Sequence, residues 1–495
     1  MVKSRVALAV GLVAVVIAGV VWGPGLVIRL AISGSHPFAL DRYYRQDVTW
    51  HGCRAGADDP TGRSLDDAGA RCTEITVPVD YDEPAGRTLT LAVARRLGTD
   101  TDHHLGTLVV HTGNPGGSRD GVLAVLQGLR PDMVHGSPDV AARYDLVGVD
   151  SRFTGRSTRL GCGWPGGRGA VRAAPDRRAF DASVAAAKDL AARCAKADDL
   201  LPHASTRTLA RDLDVVRSAL TTERVSYLGW SSGGYLGAVY AQLFPTHVRR
   251  VVLDSTPVSP PIGGAADEAV LAHWAGWAAE RDATAGLGAS PDQVLATVER
   301  IRRRAAGAGI AVAGRRVDAA TLPGLLRPSA DTEAAYARFS AVVRALDGRS
   351  GPVEPVPGPT DGETATRCAD RPAVRDPESY FRDVQAHRRD EPLFGPLARN
   401  VTPCAFWPVE PTDRPVEITS DVPALLIGAD GDPVAPPASR RALHAGLSRS
   451  VEVTLRGAFR HRVYLYDGNT CVDRLVDDYL LNKTLPPADR DCTRG

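Results

Sequence analysis

Charge of one sign is scarce in this chain of 495 residues: 59 Lys and Arg stand against 58 Asp and Glu, with no long basic or acidic block. That balance removes the electrostatic footprint that nucleic-acid binding requires. Cofactor fingerprints are missing as well. No stretch reads G-x-G-x-x-G, H-E-x-x-H or P-loop, so neither a cofactor nor a catalytic metal is expected. The spacing C-x-x-C does not occur, which argues against a zinc site or a thioredoxin-like motif. Methionine occurs twice among abundant Ala, Arg, Gly and Pro, a mark of GC-rich coding that bears on source and not on function. No internal repeat is visible.

The long apolar run that does occur is at the start. Lys3 and Arg5 precede an uninterrupted apolar stretch from Val6 to Trp22, a positive segment followed by a hydrophobic one, as in an export signal. Residues 1–34 are therefore expected to be a signal peptide or an N-terminal membrane anchor. The only candidate cleavage site is weak, Ala31-Ile32-Ser33, and an uncleaved run of residues 6–22 just reaches across a bilayer. No cysteine sits near the end of the run, so lipid attachment is not expected. The mature chain is placed outside the cytoplasmic membrane, secreted or anchored to its outer face. Its oligomeric state is open.

Eight cysteines agree with export: Cys53, Cys72, Cys162, Cys194, Cys368, Cys404, Cys471 and Cys492. An even number in an exported chain suggests disulfides. They form four separated neighbouring pairs, and sequential pairing is the expectation. Sequence alone leaves the connectivity open.

Residues 35–50 read as a linker. Beyond them strand-like runs such as "GTLVVHTG", "YDLVGVD", "VSYLGW" and "VRRVVLD" alternate with helical patterns such as "RDLDVVRSAL". Such alternation implies an α/β fold with a mostly parallel sheet covered on both faces. Over 259–415 the pattern changes to helices with few strand-like runs, broken by "DGRSGPVEPVPGPTDGE". This reads as a helical insertion, with the first part of the core at 35–258 and the rest at 416–495. Alternation returns with "VPALLIGADGDP" and "VEVTLRG", and the chain closes on the helical "CVDRLVDDYLL".

One stretch carries chemistry: "VSYLGWSSGGYLGAVYAQLF". G-x-S-x-G alone is more often a glycine-rich turn than a nucleophile. Here a strand runs straight in and a helix straight out, and on such an elbow the glycines permit a tight turn that lifts a serine hydroxyl above the sheet. Ser231 is the candidate nucleophile. A serine needs a base and a group to orient that base, and on an elbow these follow in the order acid, then histidine. His247, His273, His387 and His444 fall beside the elbow helix, in the insertion or on a helix face. His461 follows the last strand in a loop, where the base belongs. Asp430 and Asp432 both follow the preceding strand. Asp432 is preferred because Pro433 biases it to an extended backbone. Oxyanion donors are expected from the backbone N–H groups of Ser232 and of Asn114, the latter in "HTGNPGGS".

At these residues the chain resembles the actinobacterial secreted α/β-hydrolases of the tripeptidyl aminopeptidase type, relatives of the prolyl aminopeptidases. The resemblance runs from about Trp50 to Cys492 through "CTEITVPVDYDEPAGRTLTLAVAR", "HTGNPGGS", "YDLVGVDSRFTGRS", "YLGWSSGGYLGAVYAQLFPTHVRRVVLDS", "GDPVAP" and "CVDRLVDDYLLNKTLPPADRDC". It implies an α/β-hydrolase core, a helical cap between the sixth strand and the acid-bearing strand, and release of short peptides from a free N-terminus. Ser231, Asp432 and His461 fall on the family triad, and the cysteine pairs on its disulfide positions. The chain departs from the pattern at Ser232, where relatives have Tyr, at Arg460, where they have Gly, and at Thr112, Asn114 and Phe153. The α-ammonium of a peptide calls for carboxylates in the cap. Asp370 and Glu378 are the candidates, each also readable as an ordinary surface charge. Trp274 and Trp277 read as cap core. Two rivals share the sequence: an esterase or lipase using the same triad, and a non-catalytic envelope protein.

Overall fold

Nine strands form one sheet, and the reason lies in their composition. "VSYLGW" and "ALLIGA" are buried at every position, as near-continuous apolar runs must be when helices cover both faces of a parallel sheet. In the computed structural model, which describes residues 37–494 apart from 114–116, 129–134, 168, 170, 198, 259–262, 350, 352 and 355, the strands of this sheet are β1 (Arg71–Pro78), β2 (Thr88–Arg96), β3 (Thr107–His111), β4 (Asp145–Val149), β5 (Val225–Trp230) and β6 (Val248–Asp254), followed after the helical region by β9 (Ala424–Ala429), β10 (Ser450–Arg456) and β11 (Arg490–Thr493). The order across the sheet is β1-β2-β4-β3-β5-β6-β9-β10-β11. The β1–β2 and β2–β4 pairings are antiparallel, and every other pairing is parallel.

Alternate residues of each strand feed two apolar layers. One takes Val109, Tyr227, Leu253 and Leu426 against the helices Thr206–Ala219 and Ser232–Leu243. The other takes Leu108, Val110, Leu228 and Ile427 against Gly121–Gln127 and Thr470–Asn482. All four disulfides form between sequence neighbours: Cys53–Cys72, Cys162–Cys194, Cys368–Cys404 and Cys471–Cys492.

Between β6 and β9 the described chain is mainly helical, with a third apolar cluster of its own. Leu271, Trp274, Ile301, Phe339 and Val343 pack together from the helices Ala265–Glu280, Pro291–Ala306 and Glu333–Leu346. Trp274 is fully buried and donates to Ser340 Oγ. Trp277 is partly buried and donates to Glu333. One small hairpin interrupts the helices, β7 (Ile310–Val312) and β8 (Arg315–Val317). Its two-residue turn, Ala313-Gly314, has positive φ at both positions, as a turn matched to strand twist demands.

Two expectations need revising. Residues 37–44, read as linker, form a helix that buries Tyr43 on the core. The fold does not close on the helix Thr470–Asn482, since β11 follows and extends the sheet. The expected signal segment, residues 1–34, lies outside the described residues. No described helix is long and apolar enough to cross a membrane.

Candidate active site

β5 ends at Trp230 and the helix Ser232–Leu243 starts two residues later, leaving Ser231 alone in the turn with φ 56° and ψ −128°. A non-glycine residue is seldom held there, and strain of this kind gathers at functional sites. Its neighbours must be glycine. A Cβ at Gly229 would lie 2.5 Å from Gly233 O, and one at Gly233 would lie 2.5 Å from His111 O. Ser231 N–H donates to Asp254 O at the end of β6 (2.9 Å). The helix N-terminus faces the serine, which favours negative charge there.

His461 lies in the loop after β10. Its Nδ1 is 3.0 and 3.1 Å from the two carboxylate oxygens of Asp432, so Nδ1 carries the proton and donates it. Asp432 is almost wholly buried, and its Oδ1 also accepts from Val434 N–H (2.8 Å) and Ala435 N–H (2.9 Å). Burial pushes this carboxyl up, but His461 and the two amides outweigh it and hold it below its ordinary value. Asp430 instead accepts from Gly457 and Ala458 N–H and ties the neighbouring loop. His461 Nε2 is buried and, among the described residues, has no hydrogen-bond partner. The Asp432–His461 pair is thus formed, while Ser231 Oγ and Nε2 are not hydrogen-bonded to each other. Such bonds are often loose until substrate binds.

The end of β6 clamps this loop, a role that sequence reasoning missed. Asp254 carboxylate accepts from Val463 N–H and Tyr464 N–H, and Ser255 Oγ accepts from Arg462 N–H (2.9 Å). Burial pushes the Asp254 carboxyl up to about 6, against the pull of Ser255, the two amides and His461. One short strand end therefore receives both the serine backbone and the histidine loop.

The loop after β3 lies against the elbow. Gly113 has φ 64°, and a Cβ there would come within 2.1 Å of Trp230 O and 3.0 Å of Ser231 Cβ, so only glycine fits. Gly113 N–H donates to His111 Nδ1 (3.2 Å), and His111 Nε2 is left to donate to Ser151 Oγ. Burial pushes His111 down to about 4, so it stays neutral and keeps an accepting nitrogen. Asn114 lies outside the described residues. Beyond it, Asp150 gathers the loop by accepting from Ser118 N–H, Arg119 N–H and Arg156 N–H and by pairing with Arg119. Ser232 places its hydroxyl 3.4 Å from Gly113 O. His111 precedes this loop directly, a signal the sequence held.

The two cap carboxylates have internal partners. Asp370 accepts from Thr206 N–H (2.6 Å) and Thr206 Oγ1 (2.7 Å) at the start of a core helix. Glu378 is partly exposed and forms a two-armed ion pair with Arg177 at 2.7 Å. Asp267, in the first turn of Ala265–Glu280, pairs with Arg327 and feels the charge of Asp432. Arg460 is buried, donates to Arg462 O and pairs with Asp467 (3.2 Å).

Two family models match the chain: residues 106–293 fit the alpha/beta hydrolase fold, and residues 391–492 the TAP-like protein family. A tripeptidyl aminopeptidase of Streptomyces lividans is 30% identical, over 92% of this chain and 88% of that one. Serine protease Hip1 of Mycobacterium tuberculosis is 29% identical, over 90% and 91%. A protein named carboxylesterase B from the same species is 29% identical, over 90% and 89%. The similarity crosses the core and the helical region alike, and the chain belongs to the actinobacterial α/β-hydrolase family that includes the tripeptidyl aminopeptidases.

Proposed function

We propose that the chain is an exported serine peptidase that releases short peptides from free N-termini, with Ser231 as nucleophile, His461 as base and Asp432 as the group that orients it. The observation that carries the reading is the state of His461. Its Nδ1 is held by a buried carboxylate, its Nε2 is unpartnered, and its loop hangs on the strand end that also fixes the Ser231 backbone. An imidazole so held accepts a proton at Nε2 and nowhere else.

In this reading Ser231 Oγ attacks the carbonyl carbon and its proton passes to Nε2. Charge develops on the carbonyl oxygen, facing the N–H of Ser232 and that of Asn114. The imidazolium, steadied by Asp432, hands its proton to the leaving amine. Water, deprotonated in turn by His461, then releases the acyl group and restores the serine. The stretch 259–415 acts as the cap and limits access to short chains. Asp370 and Glu378 remain proposed partners of the substrate ammonium, joined by Asp267, which lies within electrostatic reach of Asp432. Four disulfides support an oxidising compartment outside the cytoplasm. Anchoring through residues 6–22 is the finer proposal.

The relative named as a carboxylesterase keeps an esterase as the second reading. The test is amine release from mono-, di- and tripeptide amides, each with a free and an acetylated N-terminus, alongside a simple ester. Turnover confined to free N-termini and lost in Ser231→Ala supports the peptidase. Ester turnover alone supports the second reading. Absence of labelling by a fluorophosphonate would sink both.

A further inference from the structure

Arg460 is buried, and a buried arginine needs partners. Those partners form a chain of charges that reaches the cap. Arg460 Nη1 meets Asp467 (3.2 Å). Asp467 also takes Arg494 Nη2. Arg494 spans to Asp331 with two bonds of 2.6 Å, one to each carboxylate oxygen. Asp331 lies in the helical region just before Glu333–Leu346, and its side chain is wholly buried. The same carboxylate accepts Phe459 N–H (2.5 Å). At the other end of the chain, Arg460 Nε donates to Arg462 O (3.0 Å).

The two ends of this network bracket His461: one grips the backbone two residues before it, the other the residue after it. A second contact works on the same side. Phe459 stacks on His273 of Ala265–Glu280, with ring centroids 4.1 Å apart. Its other side lies against the acid loop, where a Cβ on Gly431 would come within 2.5 Å of the ring. Arg494 itself is held in place by β11, which pairs with β10 and is tied by Cys471–Cys492.

We propose that Asp331 and Arg494 are positioning residues for His461: their ion pair joins the cap to the histidine loop, so that the imidazole is aimed at Ser231 only while the cap is seated. The proposal rests on His461 being the base. Bidentate arginine–carboxylate pairs fix geometry as well as charge, and displacement of a catalytic group by about 1 Å can cost about 10²-fold in rate. Arg460 thereby acquires a purpose, since without its side chain the network would end at Asp467.

The experiment compares Asp331→Asn, Arg494→Gln, Arg494→Lys and the Asp331→Asn/Arg494→Gln double variant of the disulfide-bonded protein. Three quantities are read: kcat and KM on whichever amide or ester the wild type turns over, the thermal midpoint, and the low-field proton NMR signal of His461 Nδ1–H. Asp331→Asn and Arg494→Gln should each lower kcat about 10-fold with KM within about twofold. The double variant should be no worse than either single, because both break one link. Arg494→Lys should recover part of the loss, and the NMR signal should broaden in step with kcat. A lower thermal midpoint with unchanged kcat and unchanged signal would make the network a staple only and overturn the proposal, as would additive single effects. Full activity in His461→Ala would instead overturn the assignment of the base, while the NMR signal of the Asp331 and Arg494 variants, which keep His461, reports whether the network holds the imidazole.

Discussion

The sheet and the helical region hold their important residues by different means. At the ends of β5, β6 and β9 the fixings have main-chain donors: Ser231 N–H on Asp254 O, Val463 and Tyr464 N–H on the Asp254 carboxylate, Val434 and Ala435 N–H on the Asp432 carboxylate. In the helical region they are side-chain ion pairs, such as Arg399 with Glu391 and Asp383, Arg300 with Asp347 and Arg281 with Glu333, laid over a separate apolar cluster. These fixings gather several amides on two buried carboxylates, so they depend on few side chains and hold a loop still. Side-chain pairs can be replaced one at a time, which suits a surface that chooses substrates.

The sharpest way to break this division is Ser231→Ala. Turnover should fall about 10⁶-fold, with the thermal midpoint close to wild type, as calorimetry would read, because alanine keeps the Cβ and with it the strained turn. Asp432→Asn follows. The imidazole would lose its orienting charge and adopt the wrong tautomer, lowering kcat about 10⁴-fold while amide binding persists. On the other side of the comparison stands Trp274→Ala. It should cost about 3–5 kcal/mol in the helical cluster, and denaturant titration should show that region melting ahead of the sheet, with the rate of fluorophosphonate labelling at low denaturant close to wild type. Equal loss of labelling would mean that the two regions are one cooperative unit.

The smallest effect tests the shared strand end. Asp254 has its carboxyl raised to about 6 in the fold, against about 4 in an unfolded chain. The native state then holds an extra proton between those values, so this group's contribution to stability falls as pH rises from about 4 through about 6 and is level above. Asp254→Asn has no such proton. The wild-type-minus-variant difference in denaturation free energy should slope downward across that window and be flat above it. A flat difference throughout would mean that the carboxyl titrates normally.

Much of this frame was legible in the chain itself. Continuous apolar runs marked β5 and β9, and the strand–serine–helix context marked Ser231. Chain order pointed to His461, and Pro433 to Asp432. What escaped was held by distant partners. β11 buries one residue of its four and is kept by a disulfide and by β10, so no local period announces it. The helix Pro37–Tyr44 is short, and its anchor, Tyr43 Oη on Pro84 O, lies across the sequence. Arg460 reads as a departure because Asp467, Arg494 and Asp331 come from separate segments. Asp370 and Glu378 were chosen by region, while their partners, Thr206 and Arg177, are set by tertiary contacts alone.

β6 and β9 are neighbours in register, Val251 opposite Ala424, yet the whole stretch 255–423 leaves from one and returns to the other. Two ends already side by side place almost no demand on what is hung between them, and the entropic cost of closing such a loop grows only slowly with its length. A lineage can therefore lengthen, trim or exchange this stretch and change its diet while inheriting the serine, acid and histidine intact. In this chain a newcomer must still meet the core where Ser255 holds Arg462 N–H, Asp370 caps Thr206 and Asp331 pairs with Arg494, and those few contacts are what evolution would have to carry across the graft.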